Sequence, residues 1–192
     1  MKNNITMKKI VYFLSLTCLF GFSQNELSLE GSFVKWTGTQ LSGKSHYGTL
    51  SFKSASLSFN DNRLVGGTFI VDMTSLSVDD LTGKGKKSLE GHLKADDFFS
   101  VSDFDVSELK LSSVEKVSEY EYSATGDLTI KGYTHEAKIS FYIKEGSNNM
   151  TAKLVFDRSK YNVRYGSGSF FENLGDKLIL DDIELEATLV MM

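Results

Sequence analysis

The chain has 192 residues, 12% of them aromatic and 24% charged, with a formal net charge of −4, one cysteine and no proline. An acidic balance without a run of five like charges argues against nucleic acid and anionic membrane surfaces as partners. The single cysteine excludes an intrachain disulfide framework, and the lack of any linker-like stretch points to one compact domain.

Residues 1–23 read as a secretory signal peptide. Lys2, Lys8 and Lys9 precede an apolar run over 10–22, and Gly21-Phe22-Ser23 supplies the small residues that signal peptidase reads. Cleavage is expected between Ser23 and Gln24, which makes 24–192 the mature domain and the periplasm or the exterior its compartment. The run has 13 residues, against the ~20 needed for a bilayer-spanning helix, so no transmembrane anchor is expected. Cys18 lies inside the run with Leu16 and Thr17 before it, a poor match to a lipidation signal. The mature chain then holds no cysteine and has 18 basic against 25 acidic residues, a net charge of −7. It must be held by its core alone, and a domain near 150 residues buries roughly 68–70% of its unfolded surface.

From Leu27 onward apolar and polar residues alternate with a period of two, interrupted every 8–15 residues by turn-forming clusters. Strands are predicted over 33–37, 49–59, 64–73, 104–111, 119–122, 124–130, 137–143, 150–157, 161–165 and 178–189. Ala137, Ile139, Phe141 and Ile143 on one side, with Lys138, Ser140, Tyr142 and Lys144 on the other, make a half-buried strand. Two strands change phase midway. Leu50 and Phe52 are even while Ala55, Leu57 and Phe59 are odd, which predicts an extra residue near Lys53-Ser54. Leu178 and Leu180, followed by Ile183, Leu185, Ala187 and Leu189, predict another near Asp181-Asp182. The fold class is therefore all-β, an antiparallel, lipocalin-like barrel of about eight strands with one short helix. The helix is expected over 87–95, where Leu89 and Leu93 share a face, with Phe98-Phe99 beyond it as a plug or lid.

No catalytic signature accompanies this pattern. The chain lacks a nucleophile elbow, a phosphate loop and a dinucleotide fingerprint, so it is not expected to be an enzyme or to carry a cofactor. His46, His92 and His135 are too evenly spread for metal-ligand spacing, and no metal site is expected. What is in excess is aromatic residues on inward faces: Phe52, Phe69, Tyr120, Tyr122, Phe141 and Phe156, with Phe98 and Phe99 beside the helix. An ordinary packed core and the wall of a ligand cavity both fit them.

Five motifs carry a resemblance. Lys44-Ser45-His46-Tyr47-Gly48, the segment Gly66-Gly67-Thr68-Phe69-Ile70-Val71-Asp72-Met73 and Gly91-His92-Leu93-Lys94-Ala95-Asp96-Asp97-Phe98-Phe99 come in that order. Gly126-Asp127-Leu128-Thr129-Ile130-Lys131-Gly132 and Asp157-Arg158-Ser159-Lys160-Tyr161 follow. Together they resemble the YceI-like, polyisoprenoid-binding family over about 27–190. Ser102-Asp103-Phe104-Asp105 departs from it, lacking the Tyr-Pro pair often found there. The resemblance implies an exported barrel whose elongated pocket holds a polyprenol, a polyprenyl phosphate or an isoprenoid quinone, for carriage or sequestration. On this reading Phe52, Phe69, Val71, Phe98, Phe99, Tyr120, Tyr122, Phe141, Leu154 and Phe156 line the pocket. Arg158 and Arg164 are the candidate partners of a polar head group, with surface ion pairing as the alternative for both. A non-enzymatic interaction barrel with a filled core remains the second reading, a lipid-ester hydrolase a distant third, and a homodimer is allowed for.

Overall fold

The computed structural model describes residues 23–192 except 144, 145 and 148. The expected signal segment, Cys18 included, lies outside the described residues apart from Ser23. Eight strands follow one another: β1 (Ser23–Gln40), β2 (Ser45–Asn60), β3 (Arg63–Asp72), β4 (Val106–Lys116), β5 (Glu121–Ile130), β6 (Tyr133–Ile143), β7 (Asn149–Asp157) and β8 (Ile179–Met191). Each pairs antiparallel with the next, and β8 returns to β1 to close the barrel. A single α-helix, α1 (Gly83–Lys94), lies in the connection between β3 and β4. Closure pairs every strand on both sides over at least part of its length, which is how an antiparallel sheet of this size limits edge-to-edge association.

The period-two pattern becomes the inner wall directly. In β5 Tyr122, Ala124, Leu128 and Ile130 are buried, and in β6 Ala137, Ile139 and Phe141. Phe52, Phe69 and Phe141 form a row across three strands, with ring centroids 6.2 Å apart in each pair. The bulge expected in β2 is present. Phe52 faces Val71 and Ser54 faces Ile70, so Lys53 is the unpaired extra residue that carries the inward face from even to odd positions.

The second bulge differs in detail. Ile183 pairs with Gly38 and Ile179 with Gln40, so β8 has three residues where β1 has one. The inward residue before the break is Ile179; Leu180 faces outward and is 38% exposed. Burial of Arg158 against the Ile179 and Leu180 carbonyls fixes this facing, a contact that alternation cannot register.

Three other expectations are corrected. Residues 161–165 form no strand: a 3-10 turn spans Arg158–Tyr161 and the chain reverses at Asn162, whose φ is 55°. The Asp157 carboxylate caps that turn, accepting from the Ser159 N–H at 2.9 Å and its hydroxyl at 2.6 Å. Residues 119 and 120 belong to the β4–β5 turn rather than to a strand. The helix starts at Gly83, four residues before its predicted start, because Lys84, Gly85 and Lys86 carry no apolar signal.

The barrel has two unlike ends. One carries the tight β2–β3 turn at Asp61-Asn62, both at positive φ. The other carries α1, the 95–105 segment and the long β7–β8 connection, which touch: the Tyr165 N–H donates to the Asp97 carbonyl at 3.4 Å, and the Tyr165 and His92 rings meet edge-on at 4.2 Å.

Candidate functional site

Inside the barrel lies a cavity of about 340 Å³, at the lower end of the ~300–1,000 Å³ range of small-molecule pockets. Its wall is built from the inward positions of the strands: Val34 and Trp36 on β1, Leu50 and Phe52 on β2, Phe69 and Val71 on β3, and Leu109 on β4. Leu128 and Ile130 of β5, Ile139 and Phe141 of β6, Ala152, Leu154 and Phe156 of β7, and Ile183 to Leu189 of β8 complete it. Met73, Leu76, Leu89, Leu93, Phe98 and Phe99 line the end beneath α1. The Trp36 indole N–H is already satisfied by the Ser77 carbonyl at 3.1 Å, so this ring presents carbon to the cavity.

Eight of the ten predicted lining residues are brought together here: Phe52, Phe69, Val71, Phe98, Phe99, Phe141, Leu154 and Phe156. Tyr122 is buried and pairs with Phe141, yet it lies off the cavity, towards the β4–β5 turn, with the Lys116 ammonium 5.9 Å from its ring. Tyr120 is in that turn and 38% exposed, so it is not a wall residue. The alternating Glu-Tyr-Glu-Tyr run begins in a turn, and only its last two residues enter β5.

The two arginines are also placed differently from the sequence reading. Arg158 is 0% exposed, and its guanidinium donates to the carbonyls of Val163 (3.1 Å), Tyr165 (2.9 Å), Ile179 (3.0 Å) and Leu180 (3.2 Å). The Asp181 carboxylate stands 3.3 Å from Nη2 and supplies the counter-charge. Burial pulls the guanidinium below its usual pKa, and Asp181 and Asp157 oppose that pull. All of its donors but one Nη2 direction are turned on backbone, which makes Arg158 a rivet for the β7–β8 connection and not a head-group ligand. Arg164 is exposed and lies over the Phe170 ring at 4.8 Å, outside the cavity wall.

A second buried cation secures the same end. Lys131 donates to the carbonyls of Asp96 (3.1 Å), Phe98 (2.8 Å) and Asn162 (3.3 Å), joining the segment after α1 to the turn after β7. Burial lowers its pKa, with Asp96 and Asp97 pulling the other way. Tyr161, packed edge-on against Phe156 at 5.5 Å, has its phenol pushed up to about 12 by burial first and by Asp157 second.

Ser107 and Glu108 of β4 and Lys153 of β7 also take part in the wall, and further polar residues, Gln40, His46, His92 and the 46% exposed Tyr165, gather at the α1 end. This end is the mouth. Residues 76–80 run along β2 there, with Ser77 and Asp79 donating their N–H groups to the Thr49 and Tyr47 carbonyls. Gly48 is required at this crossing, because a Cβ would sit 1.8 Å from the Ser77 carbonyl oxygen. The crossing brings Asp80 to His46: Nδ1 and Oδ2 are 2.7 Å apart, and Oδ1 accepts the Tyr47 N–H at 3.1 Å. Burial raises the Asp80 pKa, but the His46 and Tyr47 hydrogen bonds outweigh it and hold the carboxyl below the ordinary range. His46 and His92 gave no sequence signal of this placement, since the two come from different elements. Trp36 and Val34 could have been found from alternation in β1.

No group of three or more His, Cys, Asp or Glu side chains is poised for a metal among the described residues. His135 is a strand-end residue whose Nε2 lies 3.0 Å from the Lys160 carbonyl. Outside the barrel a second cleft of about 450 Å³ runs over β6, β7, β8 and β1, with Lys35, Lys138 and Lys153 facing Glu184 and Glu186. No described helix is long and apolar enough to cross a membrane.

A family model described as a YceI-like domain matches residues 26–191. No curated protein matches the chain. Among solved structures, Burkholderia cenocepacia BcnA is 21% identical, with a TM-score of 0.66 over 86% of this chain and 99% of that one. A polyisoprenoid binding domain from Saccharophagus degradans, implicated in plant cell wall breakdown, is 11% identical, with a TM-score of 0.55 over 89% and 98%. The Campylobacter jejuni YCEI protein is 18% identical, with a TM-score of 0.53 over 74% and 84%. At these identities the likeness is one of fold.

Proposed function

Because the chain belongs to the YceI-like family, we propose that it is an exported, non-enzymatic binding protein that holds an isoprenoid-type lipid in its barrel. The ligand class is a polyprenol, a polyprenyl phosphate or an isoprenoid quinone, carried or sequestered in the periplasm or outside the cell. The observation that carries this reading is the cavity of about 340 Å³ inside the barrel, whose wall is predominantly apolar. A barrel serving only as an interaction scaffold would gain stability by filling that space. The similar fold described as a polyisoprenoid binding domain supports the choice of ligand. Lys2, Lys8, Lys9 and the apolar run after them support export.

The physical basis is burial without directional chemistry. An isoprene unit taken from water gains up to about 4 kcal/mol, at ~0.8 kcal/mol per buried carbon, before chain ordering is charged against it. A lipid drawn from a membrane gains far less, so selectivity rests on the length and width of the cavity. The six phenylalanine rings of Phe52, Phe69, Phe98, Phe99, Phe141 and Phe156 give that cavity rigid walls.

Native mass spectrometry of the protein purified from its own cell envelope, followed by solvent extraction, tests the proposal. The expected result is one stoichiometric isoprenoid lipid per chain. Protein that arrives empty and takes up neither polyprenols nor quinones would overturn it in favour of an interaction barrel.

A further inference from the structure

We infer that His46, oriented by Asp80, is the anchor for a terminal hydroxyl group of the bound chain, so that the cavity selects alcohol-terminated apolar lipids over plain hydrocarbons. The inference rests on the binding function proposed above and adds the chemistry of one end of the ligand.

Three observations support it. His46 is among the few residues of the cavity wall that are polar, and it stands at the mouth with its side chain 19% exposed. Its Nδ1 is occupied by the Asp80 carboxylate at 2.7 Å, and that carboxylate is fixed in turn by the Tyr47 N–H at 3.1 Å. In its neutral form, a ring whose Nδ1–H donates to a carboxylate carries its lone pair on Nε2. Among the described residues no hydrogen bond is made to that nitrogen. The other histidine of the mouth does not offer the same group: His92 Nε2 faces Asp97 at 3.4 Å, and its ring is packed between Phe98 and Tyr165. Gln40 Oε1 lies 3.4 Å from the Ser42 hydroxyl.

The sequence separates the two partners by 34 positions, and they meet because residues 76–80 run along β2 after β3 has ended. An acceptor held at the edge of a predominantly apolar cavity suits a ligand with one donor at one end. A prenol fits, as does a phenol or quinol. The hydroxyl would give up its water contacts on entry and regain one through Nε2, while the chain behind it takes the interior.

The test compares binding of geranylgeraniol with that of the same chain bearing hydrogen in place of the hydroxyl, using protein stripped of endogenous lipid. The native protein should prefer the alcohol, and His46→Leu should lower alcohol affinity about three- to tenfold, the range expected for one net hydrogen bond, with hydrocarbon affinity unchanged. Asp80→Asn should cause a smaller loss confined to the alcohol. The ¹⁵N resonance of His46 Nε2 should shift on adding the alcohol and stay in place with the hydrocarbon. Equal affinity of the native protein for both chains, or a parallel loss of both in His46→Leu, would overturn the inference and leave lipid binding standing. Failure of the native protein to bind either chain would count against the binding function itself.

Discussion

Two buried cations, Arg158 and Lys131, do at the residue scale what disulfides do in many exported domains. Each gathers backbone carbonyls from segments distant in sequence, and each stands at the mouth. A carbonyl buried without a donor costs about 1–3 kcal/mol, and an unpaired buried charge costs more. Arg158→Met would orphan four carbonyls and leave Asp181 without its counter-charge. It should lower unfolding free energy by about 3–5 kcal/mol in urea. Arg158→Lys keeps the charge and loses the planar fork, and should recover only part of that. A head-group arginine would behave otherwise, losing ligand affinity with stability intact.

Helix α1 is the least secured element of the mouth. Three of its residues, Gly83, Gly85 and Gly91, are glycine, and Leu93 is its one buried side chain. It is held from outside: Glu90 accepts the Val78 N–H at 3.0 Å, and Lys94 donates to the Thr74 carbonyl at 2.8 Å. Gly83, at φ +58°, starts the helix in a conformation that suits glycine, whereas Gly85 and Gly91 have room for a methyl group. Gly85→Ala with Gly91→Ala should stabilise the helix by about 1 kcal/mol per site. Hydrogen exchange of the helix amides should slow, and release of bound lipid should slow with it if the helix is the part that opens. Slower exchange with unchanged release would place the exit elsewhere. The candidate is the β6–β7 joint, where, among the described residues, Ser140 to Ile143 alone pair with Met150 to Lys153.

For the molecule as a whole, the unfilled interior is the feature that stability alone does not explain. Seven of the eight strand joints link neighbours in sequence, and only β1 with β8 brings distant segments together, as where Val34 meets Ala187. This is a topology that could close on a solid core of larger side chains. Instead Ala152 and Ala187 pair across β7 and β8 and both line the cavity. Ala152→Phe should place a ring in that space. Cavity filling of this kind commonly adds about 0.5–2 kcal/mol of stability. The same variant should shorten the longest isoprenoid chain that the protein retains in a mass-spectrometric competition. A large loss of stability would show that the space is closed to a ring.

Strand number, closure and the β2 bulge were legible because each depends on local alternation: a side chain's face is fixed by its parity, and Leu50, Phe52, Ala55 and Leu57 show the change of parity by themselves. Six of the predicted wall residues, Phe52, Phe69, Val71, Phe141, Leu154 and Phe156, follow from the same rule, whereas Phe98 and Phe99 lie in the segment after α1. Tyr120 and Tyr122 escaped it because alternation gives the face of a residue but not its height along the barrel. Arg158 escaped it because a cation next to a turn reads as exposed until the carbonyls of Ile179 and Leu180 are known to converge on it. The sequence by itself determined an alternating, disulfide-free barrel and most of the apolar wall, since those follow from period and composition. Only the tertiary structure decided which end is the mouth, that Arg158 is buried and that His46 meets Asp80, because each depends on segments that the chain brings together only when the barrel closes.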